Sequence, residues 1–236
     1  LERLKGLDTS GMPTISKHMS GKRLCFDLDK KKTKIIKDFA NTNNILLQTL
    51  FIAAYYIYLN ACSGRDDIIV GIPVFNRYGR EAKNTIGMFT STVAFRFGVD
   101  KQRNIKDYLI SMNRAFMSDL RNQRYPYNLL MNDLKEAGTT VDNLMNVSIN
   151  YYNWNFENDS KGCETVIEEF YCGYQFYDMQ IVIKDWNEAG SFSILYDFKS
   201  DVYNEFQINE LHDHLMYIID CIIENFKVTV GDIPVF

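Results

Sequence analysis

Residues 45–62 constrain the fold more than any other part of the chain, because this segment is almost wholly apolar and long enough to cross a bilayer. Gln48, Thr49 and Asn60 lie inside it, and no basic cluster follows it. The rest of the chain alternates between apolar and polar residues, as soluble α/β proteins do. We therefore predict a helix over roughly residues 44–60 that is buried on most of its sides, and no membrane partner.

Other helices and strands are predicted from the periodicity of apolar residues. Alternating or continuous apolar runs predict strands at 24–28, 67–75, 92–99, 147–151, 166–171 and in a hairpin at 178–198. Helical spacing predicts helices at 33–40, after Asn104, after Pro126 and over 208–226. Asn43 or Asn44 is expected to cap the long buried helix.

The order of these elements mixes helices and strands, which predicts an α/β (α+β) fold with a mixed sheet and helices packed mainly on one face. Of the 236 residues, 46% are apolar and 24% charged, which suits one large globular domain or two small ones. Residues 1–21 are poorly patterned and contain Gly6, Gly11 and Pro13, so we predict an irregular entry segment there.

The charge pattern gives no sign of a nucleic-acid partner. The formal net charge is -4, whereas a nucleic-acid surface needs a clustered basic excess. The lysines of residues 30–37 are flanked by Asp29 and Asp38, which is typical of a solvated helix face.

Side chains that carry catalytic chemistry are sparse. Of the three histidines, His212 and His214 point to different sides of a helix, so we predict solvated positions and no metal site. His18 stands in the irregular entry segment without a partner in sequence. The five cysteines contain no C-x-x-C pair, which favours a reducing, cytoplasmic environment. No phosphate-binding loop or serine-hydrolase motif is present, so the residue types predict no catalytic set.

Five short segments nevertheless follow one another in a familiar order. Residues 65–73 with Asn76 and Arg77 are similar to the motif GqdDvvvGtPvanR. Residues 86–96 are similar to IGmFvNTlalR, with Ser91 in place of the usual Asn.

The remaining three segments complete the series. Residues 122–128 are similar to hQdyPfe, with Arg124 replacing Asp and Asn128 replacing Glu. Residues 1–7 are similar to the segment W-x-e-x-L-x-g-L, and a final helix followed by Ile233 and Pro234 closes the series. Over essentially its whole length, the chain thus resembles the C-terminal lobe of a condensation domain from a nonribosomal peptide synthetase.

This resemblance implies a chloramphenicol-acetyltransferase-like fold, in which two similar lobes form a V around a tunnel, with residues 1–236 as the second lobe. It implies amide formation by attack of an acceptor amine on a donor thioester. Both substrates ride on phosphopantetheine arms of peptidyl carrier proteins, and no cofactor binds directly. The proton-handling histidine belongs to an H-H-x-x-x-D-G motif of the N-terminal lobe, which this sequence lacks. We therefore expect no catalytic residue here, no activity of the chain alone, and the N-terminal lobe as a partner.

The resemblance also implies which residues line the tunnel or the lobe interface: Asn76, Arg77, Gly87, Phe89, Ser91, Thr92 and Arg96. Alternation along a strand puts Thr92, Ala94 and Arg96 on one face. The resemblance pairs Arg96 with the aspartate of the missing motif, although an ordinary strand arginine on a wet face would give the same pattern.

Other roles stay open for the remaining residues. Gly87 and Phe89 fit a plain turn, and Asn76 with Arg77 fits a solvated loop. The aromatic-polar cluster at residues 151–154 fits core packing as well as an acceptor-side wall. Two other functions also remain, a non-catalytic binding or interaction module and a partner lobe of a two-chain acyltransferase. An exposed apolar face would favour a missing partner lobe over an independent module.

Overall fold

The computed structural model describes Leu4 and residues 15–138, 143–153, 169–185 and 190–235. Six strands form one sheet in the order β1-β6-β5-β4-β2-β3. The strands are β1 (Gly21–Asp27), β2 (Asp67–Val74), β3 (Ser91–Gly98), β4 (Val147–Tyr152), β5 (Met179–Lys184) and β6 (Ser193–Lys199). The helices are α1 (Lys30–Thr42), α2 (Leu47–Ser63), α3 (Gly79–Asn84), α4 (Ile105–Arg121), α5 (Tyr127–Glu136) and α6 (Glu205–Glu224).

The sheet is mixed, as predicted. Strand β4 lies parallel to both β2 and β5, whereas the other neighbours are antiparallel. The predicted hairpin is confirmed, since β5 pairs with β6 from Met179 opposite Phe198 to Lys184 opposite Ser193. The first half of the predicted strand at 166–171 lies outside the described residues, and its last three residues are not in a strand.

The helices α1, α2, α4 and α6 cover one face of the sheet and share a single large core with it. On the opposite face, α5 packs with Ala94 of β3 in a smaller apolar cluster that includes Met131, Leu134 and Met145. The arrangement confirms the prediction that helices lie mainly on one face.

The long apolar segment forms α2, and its polar residues are satisfied inside the protein. The Thr49 hydroxyl donates to the Asn113 side-chain oxygen at 3.0 Å. The Asn60 amide donates to the backbone oxygen of Arg65 at 2.9 Å and to the Asp66 carboxylate at 2.8 Å. These hydrogen bonds explain how polar groups can be buried there, because an unpaired buried amide or hydroxyl is costly.

The capping prediction for α2 was wrong. Leu46 is the N-cap residue, and Asn43 instead ends α1, where its side chain donates to the Phe39 carbonyl at 2.9 Å. Asn44 takes a positive φ of 53° in the turn between the helices. The reason is that α1 extends two residues beyond its predicted end and so reaches Asn43.

Within the described residues, no single helix has both the length and the hydropathy of a membrane span. Only α1 and α2 taken together meet those criteria, and they are bent by 103° relative to each other.

Candidate functional site

The residues predicted to line a tunnel lie around the connection between β2 and β3. Asn76, Arg77, Gly87 and Phe89 belong to this connection, residues 75–90, which includes the short helix α3. Ser91, Thr92 and Arg96 belong to β3.

The Arg77 side chain holds the β2–β3 connection together by hydrogen bonds to its backbone. Its guanidinium donates to the backbone oxygens of Ala82 and Gly87 at 2.5 Å and of Thr85 at 2.7 Å. The same group lies over the ring of Phe89, 4.3 Å from its centroid. A guanidinium can form such a fan of bonds because it has five donors in one plane. Arg77 is therefore a structural centre of this connection, and Phe89 is its stacking partner.

Gly87 permits a backbone shape that other residues avoid. Its φ is 152°, at the edge of the positive range that a Cβ disfavours. A Cβ placed there would meet the Phe89 ring at an ordinary 3.7 Å, so the backbone conformation, and not close packing, calls for glycine. The flanking side chains of Ile86 and Met88 project outward with 101% and 92% of their surface exposed.

One cleft, with a volume of about 650 Å³, opens where β2 and the parallel strand β4 both end. Asn76 and Arg77 line it together with Thr90, Gln123 and Asn150. The Asn76 side-chain oxygen is buried and has no hydrogen-bond partner among the described residues. Asn150 is 6% exposed, so this wall of the cleft presents a buried amide next to the buried side-chain oxygen of Asn76.

The aromatic residues at the end of β4 line the cleft, and one of them also packs against the core. Tyr151 packs against the large core, and its hydroxyl donates to the Asp185 carboxylate at 2.9 Å. Burial is the main cause that raises the pKa of this hydroxyl far above its ordinary value. Tyr151, Tyr152 and Asn153 all line the cleft, whereas position 154 lies outside the described residues.

A second cleft, of about 560 Å³, lies on the sheet face that bears α5. Thr92, Ala94 and Arg96 all line it, as strand alternation predicts. The Thr92 hydroxyl lies 3.2 Å from the Tyr177 hydroxyl. On the α5 side, the lining includes Tyr127.

Arg96 already has an anionic partner inside this chain. Its Nε lies 2.8 and 3.0 Å from the two carboxylate oxygens of Asp67, and its Nη2 lies 2.6 Å from one of them. The bidentate pair raises the pKa of the Arg96 guanidinium, chiefly through the hydrogen bonds to Asp67. A partner for Arg96 within this chain was not predicted from the sequence. Asp67 was overlooked because it lies 29 residues away and reaches Arg96 only through the register of β2 and β3.

The structure thus separates the predicted site residues. Asn76 and Arg77 lie at one cleft, and Thr92 and Arg96 lie at the other. Ser91 begins β3 and lines neither of these two clefts, and neither do the two predicted residues of the preceding turn, Gly87 and Phe89.

None of the three histidines lines either of these two clefts. His212 is 9% exposed, its ring stacks on Phe26 at 3.9 Å, and its Nδ1 lies 3.1 Å from the Tyr196 hydroxyl. Burial lowers the pKa of His212 to about 4. The predicted solvated position was wrong for His212, because α6 carries this residue at the edge of its buried stripe, four residues after Ile208.

The other two histidines do not belong to a group of metal ligands among the described residues either. His214 stacks on Tyr58 at 5.8 Å, and His18 is exposed. Within the described ranges no group of three or more His, Cys, Asp or Glu side chains could hold a metal ion.

Some residues at the clefts were missed from sequence. Asn150 and Tyr177 line or contact the clefts without belonging to any motif. Alternation on β4 gave a signal for Asn150, because the buried Ile149 and the partly buried Tyr151 on either side pack against the large core and Asn150 must face away. Tyr177 comes from an irregular segment, for which periodicity gives no signal.

Solved structures share this arrangement. The first condensation domain of the CDA synthetase matches with a TM-score of 0.78 at 18% identity, over 100% of this chain and 52% of that chain. A complex of the first condensation domain of the calcium-dependent antibiotic synthetase with a substrate analogue matches with a TM-score of 0.82 at 17% identity, over 100% and 53%. The fold is therefore that of about half of a condensation-domain structure.

Sequence comparison gives the family. Residues 4–235 match the model of the condensation domain, and the chain belongs to this family. Surfactin synthase subunit 1 of Bacillus subtilis (strain 168) is 26% identical over 217 residues, which cover 91% of this chain and 6% of that protein. Gramicidin S synthase 2 of Brevibacillus brevis is 26% identical over 218 residues, which cover 90% and 5%. The chain thus spans a small fraction of the length of these relatives.

Proposed function

We propose that this chain is the C-terminal lobe of a condensation domain that forms amide bonds in nonribosomal peptide synthesis. In this function an N-terminal lobe supplies the catalytic histidine, and this chain supplies one wall of the tunnel. The substrates are aminoacyl or peptidyl thioesters on the phosphopantetheine arms of carrier proteins. The observation that carries the proposal is the match of the whole chain, from residue 4 to 235, to the condensation family, at about half the length of solved condensation-domain chains.

The exposed apolar side chains of the β2–β3 connection support a missing partner surface. Ile86 and Met88 are almost fully exposed, and Phe75 of the same connection is 58% exposed. Isolated apolar residues on a surface are ordinary, but several on one projecting loop suggest a contact surface. This argues for a covered face and against an independent binding module.

The chemistry of the described residues supports inactivity of the chain alone. Attack of an amine on a thioester needs a polar group that handles the proton at the reacting centre. None of the three histidines lies at either cleft. The side-chain amides of Asn76 and Asn150 can orient a substrate by hydrogen bonds, but they cannot take up a proton.

The proposed tunnel wall comprises both clefts. In this proposal, Arg77 holds the β2–β3 connection in shape beside one cleft, while Thr92 and Arg96 border the other. Because Arg96 is paired with Asp67, a contact with the aspartate of the other lobe would extend this pair into a shared network. Gly87 and Phe89 act by shaping the β2–β3 connection, and Ser91 begins β3 directly after it.

The test is an amide-forming assay with donor and acceptor loaded on carrier proteins. The 236-residue chain alone should give no product, and addition of the N-terminal lobe, in cis or as a second chain, should restore condensation. Turnover by the purified chain alone would contradict the proposal. A reconstituted two-lobe protein that binds loaded carriers without forming product would favour a non-catalytic binding role.

A further inference from the structure

The polar lining of the cleft at the ends of β2 and β4 consists mainly of uncharged carboxamides. The volume of this cleft, about 650 Å³, lies within the range of small-molecule sites. Apolar side chains such as Ile72, Phe116 and Leu120 form much of the remaining lining. The cleft therefore combines apolar surface with groups that both donate and accept hydrogen bonds. Six carboxamide side chains line it: Asn41, Gln48, Asn76, Gln123, Asn150 and Asn153.

Two of these carboxamides have hydrogen-bonding capacity that the described protein does not use. The Asn76 Oδ1 is buried and has no partner among the described residues. Asn150 is 6% exposed, and no hydrogen bond joins its side chain to another described residue. A buried polar group without a partner destabilises the fold, and a ligand that supplies the partner recovers that free energy.

The backbone of Asn76 explains only part of its presence. Its φ is 49°, a left-handed conformation that asparagine and glycine tolerate better than other residues. A glycine would meet this requirement without placing a carboxamide oxygen in a buried position. The positive φ thus accounts for an asparagine or a glycine at position 76, but not for the unpaired oxygen.

Charged groups at the cleft already have partners. Arg77 is the only charged side chain among the described lining residues, and its guanidinium donates to three backbone oxygens of the β2–β3 connection. The Tyr151 hydroxyl donates to the Asp185 carboxylate, and that carboxylate also pairs with the Lys37 ammonium. A charged ligand group would therefore lose its hydration in this cleft without gaining an ion pair, which is costly.

We propose that this cleft selects the substrate by its side chain and favours the carboxamide of asparagine or glutamine. A carboxamide can donate to the Asn76 oxygen and accept from a neighbouring amide such as that of Asn150. An apolar side chain would leave the Asn76 oxygen unpaired, and an acidic or basic one would be buried without a counter-ion. The proposal rests on the proposed function, because it names the class of aminoacyl or peptidyl thioester that reaches this wall of the tunnel.

Binding of small probes to the 236-residue chain tests the cleft directly. The probes are the N-acetyl, N-methylamide derivatives of glutamine, glutamate, lysine and leucine, which share one backbone and differ only in the side chain. The glutamine derivative should bind at least about tenfold more tightly than the other three, because its side chain alone pairs with the carboxamides of the cleft. In NMR titrations it should shift the side-chain amide resonances of Asn76 and Asn150. Equal affinities of the four probes, or no shift of these resonances, would overturn the proposal.

Asn150→Leu tests whether the carboxamide itself makes the selection. It introduces an apolar side chain of similar size and should bring the affinities of the glutamine and leucine derivatives to within about threefold of each other. Asn209→Leu is the matched control and should keep the full preference, since Asn209 is exposed on α6, where it donates to the Glu205 carbonyl. An undiminished preference in folded Asn150→Leu contradicts the proposal.

A second variant covers the case in which Asn150→Leu does not fold. Asn76→Gly removes the unpaired oxygen, and glycine accepts the φ of 49°. This variant should show the same loss of preference for the glutamine derivative. A preference that survives in Asn76→Gly counts against the selection of a carboxamide.

The amide-forming assay in the two-lobe protein connects the cleft to the reaction. Carriers are loaded with glutamine, glutamate or leucine, first as donor and then as acceptor. One of the two series should favour glutamine by at least about tenfold, and Asn150→Leu should remove that preference. No preference for glutamine in either series would overturn the selection of substrate. Absence of any condensation, with probe binding as expected, would count against the proposed function and not against the selectivity of the cleft.

Discussion

His212 should make the stability of this chain depend on pH between about 4 and 6.5. Its folded-state pKa is about 4, because burial against Phe26 and Tyr196 disfavours the imidazolium, whereas an unfolded chain titrates near 6.5. Between about pH 6.5 and 4, the His212 imidazole is therefore protonated in the unfolded state and neutral in the folded state. The free energy of unfolding is unaffected by His212 above this range and falls as the pH drops through it.

The two pKa values give the size of the effect. Between pH 7.5 and 5.0 the linkage amounts to about 2 kcal/mol, because a pKa difference of one unit is worth about 1.4 kcal/mol. Urea unfolding at both pH values measures it. His212→Leu should lose most of this difference, and His18→Gln, at an exposed site, should retain it. An equal pH-dependence in wild type and His212→Leu would refute the assignment.

Three further substitutions test contacts described above. Arg96→Ala in the 236-residue chain should lower the free energy of unfolding by about 1–2 kcal/mol, because it removes a half-buried bidentate pair; a change under about 0.5 kcal/mol in thermal or urea unfolding would contradict this. Gly87→Ala should lower the free energy of unfolding by about 1 kcal/mol, because the positive φ of Gly87 disfavours a Cβ. Gly98→Ala, whose added Cβ meets no close neighbour, should lower it less. Equal losses in the two variants would contradict the conformational argument. Tyr56→Phe should lower the free energy of unfolding, measured with urea, by about 1 kcal/mol, because the buried Tyr56 hydroxyl donates to the Phe95 carbonyl at 2.8 Å. An unchanged free energy of unfolding would mean that this hydrogen bond does not stabilise the fold.

The elements with regular periodicity could be predicted from sequence. The alternation around Phe95 in β3 and the apolar stripe of α6 each extend over several turns or residue pairs, so burial on one face leaves a clear pattern. The short helix α3 was not predicted. It has no buried residue, and its shape depends on the Arg77 side chain that binds its end.

The candidate site was less predictable, because its contacts depend on tertiary register. The motif order suggested both Asn76 and Arg96, but not that they line different clefts. Neither Asp67 beside Arg96 nor Asp178 beside Lys199 can be inferred from local pattern, since strand pairing and the end of a hairpin bring these partners together.

The pairing of β1 with β6 has a consequence for synthesis on the ribosome. The register joins Gly21 to Lys199 and Asp27 to Ser193, so the partner of the first strand is made more than 160 residues later. At about 5–20 residues per second, β1 waits roughly 10–30 s before it can pair. During that interval its edge is open to wrong partners, and the large sequence separation makes the closing step slow. If translation stops before β6 is made, β1 therefore cannot pair in the sheet, however complete the other strands are.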